Sequence, residues 1–196
     1  MLAIEGLDEP VAGIEELGIP VLVLQPTDLE SIYTTVEAIG LATGRTAEAE
    51  ALVSDMRARI AAVAERVEGV KERPTVFYEL DATDPAKPYT AGPGTWHDEF
   101  ITLAGGVNIA ADAVMPWVQF SAEEIIARDP ELVILGDANF GVSPDDVKAR
   151  PGWNVLRAVQ NDAVYPIDDD LISRPGPRVV EGIEALAAIL HPERFQ

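Results

Sequence analysis

The chain contains no cysteine, only three lysines and two histidines, and no long apolar run. Without cysteine there is no disulfide, no thiol nucleophile and no thiolate metal site, although the redox compartment stays open because many exported proteins also lack disulfides. No stretch approaches the roughly 18 apolar residues that a membrane-spanning helix needs. The opening Met-Leu-Ala-Ile-Glu-Gly-Leu-Asp-Glu has neither the basic nor the apolar region of an export signal. Catalytic signatures are missing too: no Gly-x-Ser-x-Gly elbow, no Gly-x-Gly-x-x-Gly turn, and no phosphate loop ending in Gly-Lys-Ser/Thr. Gly92-Pro93-Gly94-Thr95 is a weak anion cradle, since Pro93 has no amide proton and Asp98 lies close by. The acidic residues show no paired geometry of a glycosidase. Nothing here resembles the machinery of an enzyme.

Positive charge is scarce. The 14 Lys and Arg, 11 of them Arg, stand against 34 Asp and Glu, a formal charge of -20. Such a field repels polyanions, so nucleic acid is not an expected partner. An acidic, lysine-poor surface suits a salt-rich environment and suits simple solubility equally. What the chain does have is 47% hydrophobic residues over 196 positions, enough for one or two domains with a real core. A direct metal site is not expected: His97, Asp98 and Glu99 are consecutive and do not converge on one helix face, and His191 is remote.

Periodicity predicts a short helix over Pro10–Leu17, a strand Ile19–Leu24 covered on both faces, and a helix from a Thr27 or Asp28 cap to Gly40. Thr46 opens a long helix with Leu52, Val53, Met56, Ile60, Val63 and Val67 as its buried stripe and Gly69 as its stop, about 35 Å at 1.5 Å per residue. Strands follow at Thr75–Leu80, Leu132–Leu135 and Val164–Ile167, the last at an edge because of Pro166. Between them come a helix capped by Thr95, one opened by a Ser121/Glu124 capping box, and one opened by Ser143-Pro144-Asp145-Asp146. A final helix after Pro175-Gly176-Pro177 buries Val179, Val180, Ile183, Leu186, Ala187 and Leu190.

Strands separated by helices imply right-handed crossovers and a mostly parallel sheet, so the fold class is α/β. Ligands of such sheets sit beyond the carboxyl ends of the strands. Those ends feed loops 81–94, 136–143 and 168–175, which carry Tyr89, Asn139, Phe140, Asp168, Asp169, Asp170 and Arg174.

Trp117-Val118-Gln119-Phe120-Ser121-Ala122-Glu123-Glu124 followed by Arg128-Asp129-Pro130-Glu131-Leu132 resembles the second lobe of the periplasmic-binding-protein family that serves ABC importers of vitamin B12, haem and ferric siderophores. The resemblance extends through Tyr89–Gly94, Leu103–Ile109, Arg150–Trp153 and Ser173–Arg178, in order, and is greatest to the cobalamin-binding branch. It implies a Rossmann-like second lobe at 70–175, a connecting helix at 46–69, a remnant of a first lobe at 1–45 and a C-terminal helix at 176–196 packing back toward that lobe. It also implies that the first lobe is truncated, because relatives have a larger one after an export signal; a homodimer through the truncated lobe is one way of completing the cleft.

For function the resemblance implies an extracytoplasmic substrate-binding protein that captures cobalamin, haem or a ferric siderophore between lobes, has no intrinsic cofactor, and docks on an ABC transporter permease. The alternative is an α/β interaction domain that has lost its ligand. By resemblance Tyr89 and Trp117 are pocket aromatics, Asp170 a ligand-side acid with Arg174 beside it, and Glu123 the permease-docking carboxylate. Each has a plainer reading. Tyr89 can anchor its loop, Trp117 can pack beside Pro116, Asp168-Asp169-Asp170 can be a solvated turn, Arg174 and Arg178 can brace the loop, and Glu123 suits a helix start without any partner. Trp96 and Trp153 read as packing residues. The functional reading requires Tyr89, Trp117 and Asp170 to gather around one opening.

Overall fold

The computed structural model describes residues 2–4 and 8–195, with side chains from residue 10 onward. Part of the opening stretch read above for an export signal lies outside the described residues. A strand the sequence did not announce, β1 (Leu2–Ile4), pairs in parallel with β2 (Leu22–Leu24) across helix α1 (Asp8–Glu15). The expectation that the apolar run ending at Leu24 is covered on both faces is corrected: Leu22 and Leu24 are half-buried and Val23 is exposed.

Helix α2 (Leu29–Thr43) starts at the Asp28 cap as expected, with Asp28 and Ser31 closing a reciprocal capping box. It runs past Gly40 and stops at Gly44, whose φ of 70° is the left-handed conformation that favours glycine. Gly40 has a different task, lying so close to Ala49 that a side chain there would collide. That close approach lets α2 fold back on α3 (Thr46–Val67). The long helix buries Ala49, Val53, Met56, Ile60, Val63 and Val67. Leu52, placed on the buried stripe by spacing, is instead partly exposed.

Four parallel strands form the main sheet in the order β5–β3–β7–β8: β3 (Thr75–Glu79), β5 (Val107–Asn108), β7 (Leu132–Leu135) and β8 (Val164–Pro166), the last at an edge. β3 and β7 are buried on both faces and their side chains alternate between two cores. Val76, Tyr78, Leu132 and Ile134 face a core shared with α2, α3, α4 (Trp96–Leu103) and α8 (Val179–Leu190). Phe77, Val133 and Leu135 face a second core closed by α5 (Ala122–Arg128), α6 (Pro144–Lys148) and Trp153. The sheet is therefore sandwiched between helical layers, the mixed α/β fold that the alternation of elements predicted. All six apolar residues expected to be buried on α8 are buried, each larger one contributing roughly 1.5–3 kcal/mol relative to exposure.

The loop expected over 81–94 contains β4 (Tyr89–Ala91), which pairs antiparallel with β6 (Trp117–Gln119) as a separate two-stranded ribbon. The capping box expected at Ser121 is half-formed: the Ser121 hydroxyl accepts from the Glu124 amide, but the Glu124 carboxylate turns to Arg128. An arginine four residues later offers a charged partner where the box offers only an amide. At Ser143 the reciprocal box does form, with Asp146. Gly182 brings α8 against the loop after β8: a Cβ there would sit 2.6 Å from the Leu171 carbonyl oxygen. Among the described residues, no helix is long and apolar enough to cross a membrane.

Candidate ligand cleft

The cleft is built where β2, α4, the β4–β6 ribbon and the loop after β8 converge. It has a volume of about 520 Å³, lined on one side by Leu24, Gln25, Pro26 and Thr27 and on the other by Gly94, Trp96, Trp117, Ser173 and Pro175. Cavities of that size suit an organic ligand. Thr95 sets its geometry: the hydroxyl accepts from the Asp98 amide and donates to the Gly92 carbonyl, which fixes the start of α4 and so the position of Trp96.

Trp96 and Trp117 form an aromatic wall backed by the buried ring of His97. Trp96 stacks on His97 at 5.4 Å, and Trp117 meets both edge-on at 6.0 and 5.5 Å. Trp117 is 44% exposed, a broad apolar surface presented to the opening. His97 is 2% exposed and closed from below by the Tyr78 ring at 5.2 Å. Burial pushes its pKa down to about 3, so the imidazole is neutral at ordinary pH.

The expected site residues distribute as follows. Trp117 lines the cleft. Tyr89, also 44% exposed, shares its face of the ribbon, since Ala91 pairs with Trp117 and Tyr89 with Gln119, but it does not line the cleft itself. Asp170 and Arg174, on the loop that carries Ser173 and Pro175, pair with each other at 2.5 Å and are both substantially exposed, but neither lines the cleft; of Tyr89, Trp117 and Asp170, expected around one opening, Trp117 alone lines it. Trp153 is fully buried in the second core, as a packing residue. Trp96, read as packing, is part of the cleft wall. His191 is buried and its Nε2 lies 3.3 Å from the Gly105 carbonyl. Among the described residues, no cluster of three His, Asp or Glu is placed to hold a metal.

Glu123 lies apart, in the first turn of α5, on a groove of about 770 Å³ with Asp84, Pro85, Phe140, Asp146 and Arg150. Hydrogen bonds at the helix start, from its own amide first and then Ser121, hold its carboxyl below the usual range. Beside this groove Arg150 makes a two-pronged bond to Glu79, which is completely buried at the end of β3, and stacks on Trp153 at 4.6 Å. Asp137 accepts from the Ala82 amide at 3.0 Å, and its second carboxylate oxygen has no partner among the described residues.

Burial, followed by the Glu79 charge, pushes Asp137 up from 3.8 to about 6. The folded chain therefore holds a proton between those values that the unfolded chain releases. The resulting stabilisation is complete below about pH 4 and is lost as pH rises through about 6. Asp137→Asn is expected to raise the thermal midpoint at pH 7.5 and to remove a downward slope of stability between pH 4 and 6. A lower midpoint at pH 7.5 would show that the ionised carboxylate is stabilising after all.

Comparison with known proteins gives one family. Residues 11–171 match the family model described as "Periplasmic binding protein". The chain is 32% identical over 191 residues to an uncharacterized ABC transporter substrate-binding lipoprotein of Bacillus subtilis, covering 96% of this chain and 59% of that protein. It is 34% identical over 176 residues to a cobalamin-binding protein of Halobacterium salinarum, covering 84% of this chain and 45% of that one. The chain thus spans about half the length of these relatives. A solved periplasmic heme-binding protein from Roseiflexus sp. RS-1 superposes with a TM-score of 0.86 at 26% identity, over 100% of this chain and 76% of that one. With its sheet order, its helical layers and this match over most of its length, the chain belongs to the periplasmic binding protein family.

Proposed function

We propose that this chain is the substrate-binding part of an ABC import system, on the extracytoplasmic side, and that it captures a cobalamin, haem or ferric-siderophore type of metal chelate. The observation that carries this reading is the aromatic wall of Trp96 and Trp117 facing the Leu24–Thr27 segment across a cleft of about 520 Å³. A macrocycle presents a flat apolar face and a polar fringe. Indole rings match the face, while Asp170 and Arg174 can exchange their mutual bond for contacts to the fringe. The relatives named for cobalamin and heme support the ligand class. Glu123 is proposed as the carboxylate that meets an arginine of the permease, away from the cleft. The mechanism is reversible capture and hand-over, with no bond made or broken.

Titration with cyanocobalamin, haemin and a ferric siderophore, followed by tryptophan fluorescence, tests the reading. At least one is expected to bind, and Trp117→Ala to weaken it roughly thirtyfold, the loss typical of a truncated aromatic anchor. Binding of none of the three, or an affinity indifferent to Trp117→Ala, would overturn it.

A further inference from the structure

Beneath the cleft wall runs a chain of hydrogen bonds that joins three separate elements. The Tyr78 hydroxyl, near the end of β3, donates to Asp169 Oδ1 at 2.9 Å. The Ser173 hydroxyl donates to the same oxygen at 2.7 Å. His97 Nε2, in the first turn of α4, lies 3.0 Å from Ser173 Oγ. Each proton in this chain can be assigned. A carboxylate only accepts, so the single Ser173 proton goes to Asp169, and the contact to His97 must be an imidazole N–H donating to a serine lone pair. A neutral imidazole carries one ring proton, so Nδ1 is bare; it is a buried atom without a hydrogen-bond partner among the described residues. Burial and the neighbouring Asp169 hold the Tyr78 phenol well above its ordinary range, which keeps it a donor.

The chain has no room to slide. A Cβ on Gly136 would lie 2.9 Å from Asp169 Oδ1 and 2.7 Å from the Tyr78 ring, so only glycine fits against it. From the other side, α8 presses on Leu171 and Ile172 through Gly182. The loop held between these contacts supplies Ser173 and Pro175 to the cleft and carries the exposed Asp170–Arg174 pair.

We infer that His97 is a positioning residue for the cleft: by donating from Nε2 to Ser173 it holds loop 169–175 in the place from which that loop lines the opening. Its value to binding rests on the cleft being the ligand site, but its effect on the loop does not. In the intact chain, ¹⁵N-edited NMR is expected to show His97 protonated on Nε2 only, unchanged from pH 5 to 8. His97→Leu is expected to speed hydrogen exchange at the Leu171, Ile172 and Ser173 amides about tenfold relative to Val133 and Ile134, the worth of one hydrogen bond, while His97→Gln, which keeps a donor, restores it to within about twofold. An Nδ1-protonated ring, titration within that pH range, equal acceleration throughout the chain, or no acceleration in the loop would each overturn the inference. Where cyanocobalamin or haemin binds the wild type, His97→Leu should weaken it about tenfold and His97→Gln, which keeps the donor but not the ring, should weaken it less. Failure of cyanocobalamin, haemin and the ferric siderophore alike to bind sinks the proposed function and leaves the exchange measurement to decide this inference by itself.

Discussion

Replacing Arg150 by Met should destabilise the fold by roughly 3–5 kcal/mol, because it leaves a carboxylate stranded in the interior. Glu79 is completely buried and Arg150 nearly so, and both guanidinium prongs are engaged by that one carboxylate. Asp137 lies close enough for the Glu79 charge to raise its pKa, so removing Arg150 deprives two acids of the same cation. Methionine keeps most of the bulk over Trp153, which separates loss of charge from loss of packing. The double substitution Glu79→Leu with Arg150→Met should recover most of the loss, since well-packed apolar residues often replace a buried pair at little cost. Denaturant unfolding of the three variants checks this. A loss below about 1 kcal/mol for Arg150→Met, or a double variant as unstable as the single one, would show that the pair is not what secures this end of the sheet.

Acidification should expose His97 as a second weak point. Its imidazole is neutral when folded, with a pKa near 3, against 6.5 when free. A lowered value means that stability from this group is complete above about pH 6.5 and is lost as pH falls toward 3, because only the unfolded chain takes up the proton. Between pH 7 and 4 the loss is on the order of 3 kcal/mol. Asp137 titrates with the opposite slope between about pH 4 and 6, so the wild-type profile should be flatter than either group alone produces. His97→Leu should be less stable than wild type at pH 7 yet lose less on acidification, and Asp137→Asn should lose more. Parallel profiles for wild type and His97→Leu would contradict the assignment of a buried, neutral ring.

The α/β layering was legible because it follows from local patterns. The apolar stripe of α8, the Ser143 box and the Gly69 stop are all written within a few residues of where they act. The β4–β6 ribbon was not, because Pro and Gly dominate its neighbourhood and its pairing joins residues more than twenty-five positions apart. The cleft suffered from the same gap. Trp117 could be singled out by resemblance, but Trp96 and His97 become site residues only when the ribbon carries Trp117 back over the start of α4. Ser173 and Asp169 were hidden for a related reason: a serine and an aspartate in an acidic turn show no sign of a tyrosine partner on a distant strand. The reading of Glu124 went astray because two partners were within reach and spacing alone could not rank them.

The proline at the end of β8 has a consequence for the protein in concentrated solution. The Ile167 amide points inward to Leu135, so by alternation the amide position of Pro166 points outward, along the sheet's free border. Proline has no proton to offer there, and the opposite border, β5, is only two residues long. Neither rim gives an incoming strand a ladder to climb, and neighbouring molecules carrying a formal charge of -20 repel one another before contact. Edge-to-edge pairing of this sheet is disfavoured by a missing backbone donor on one side and by brevity on the other.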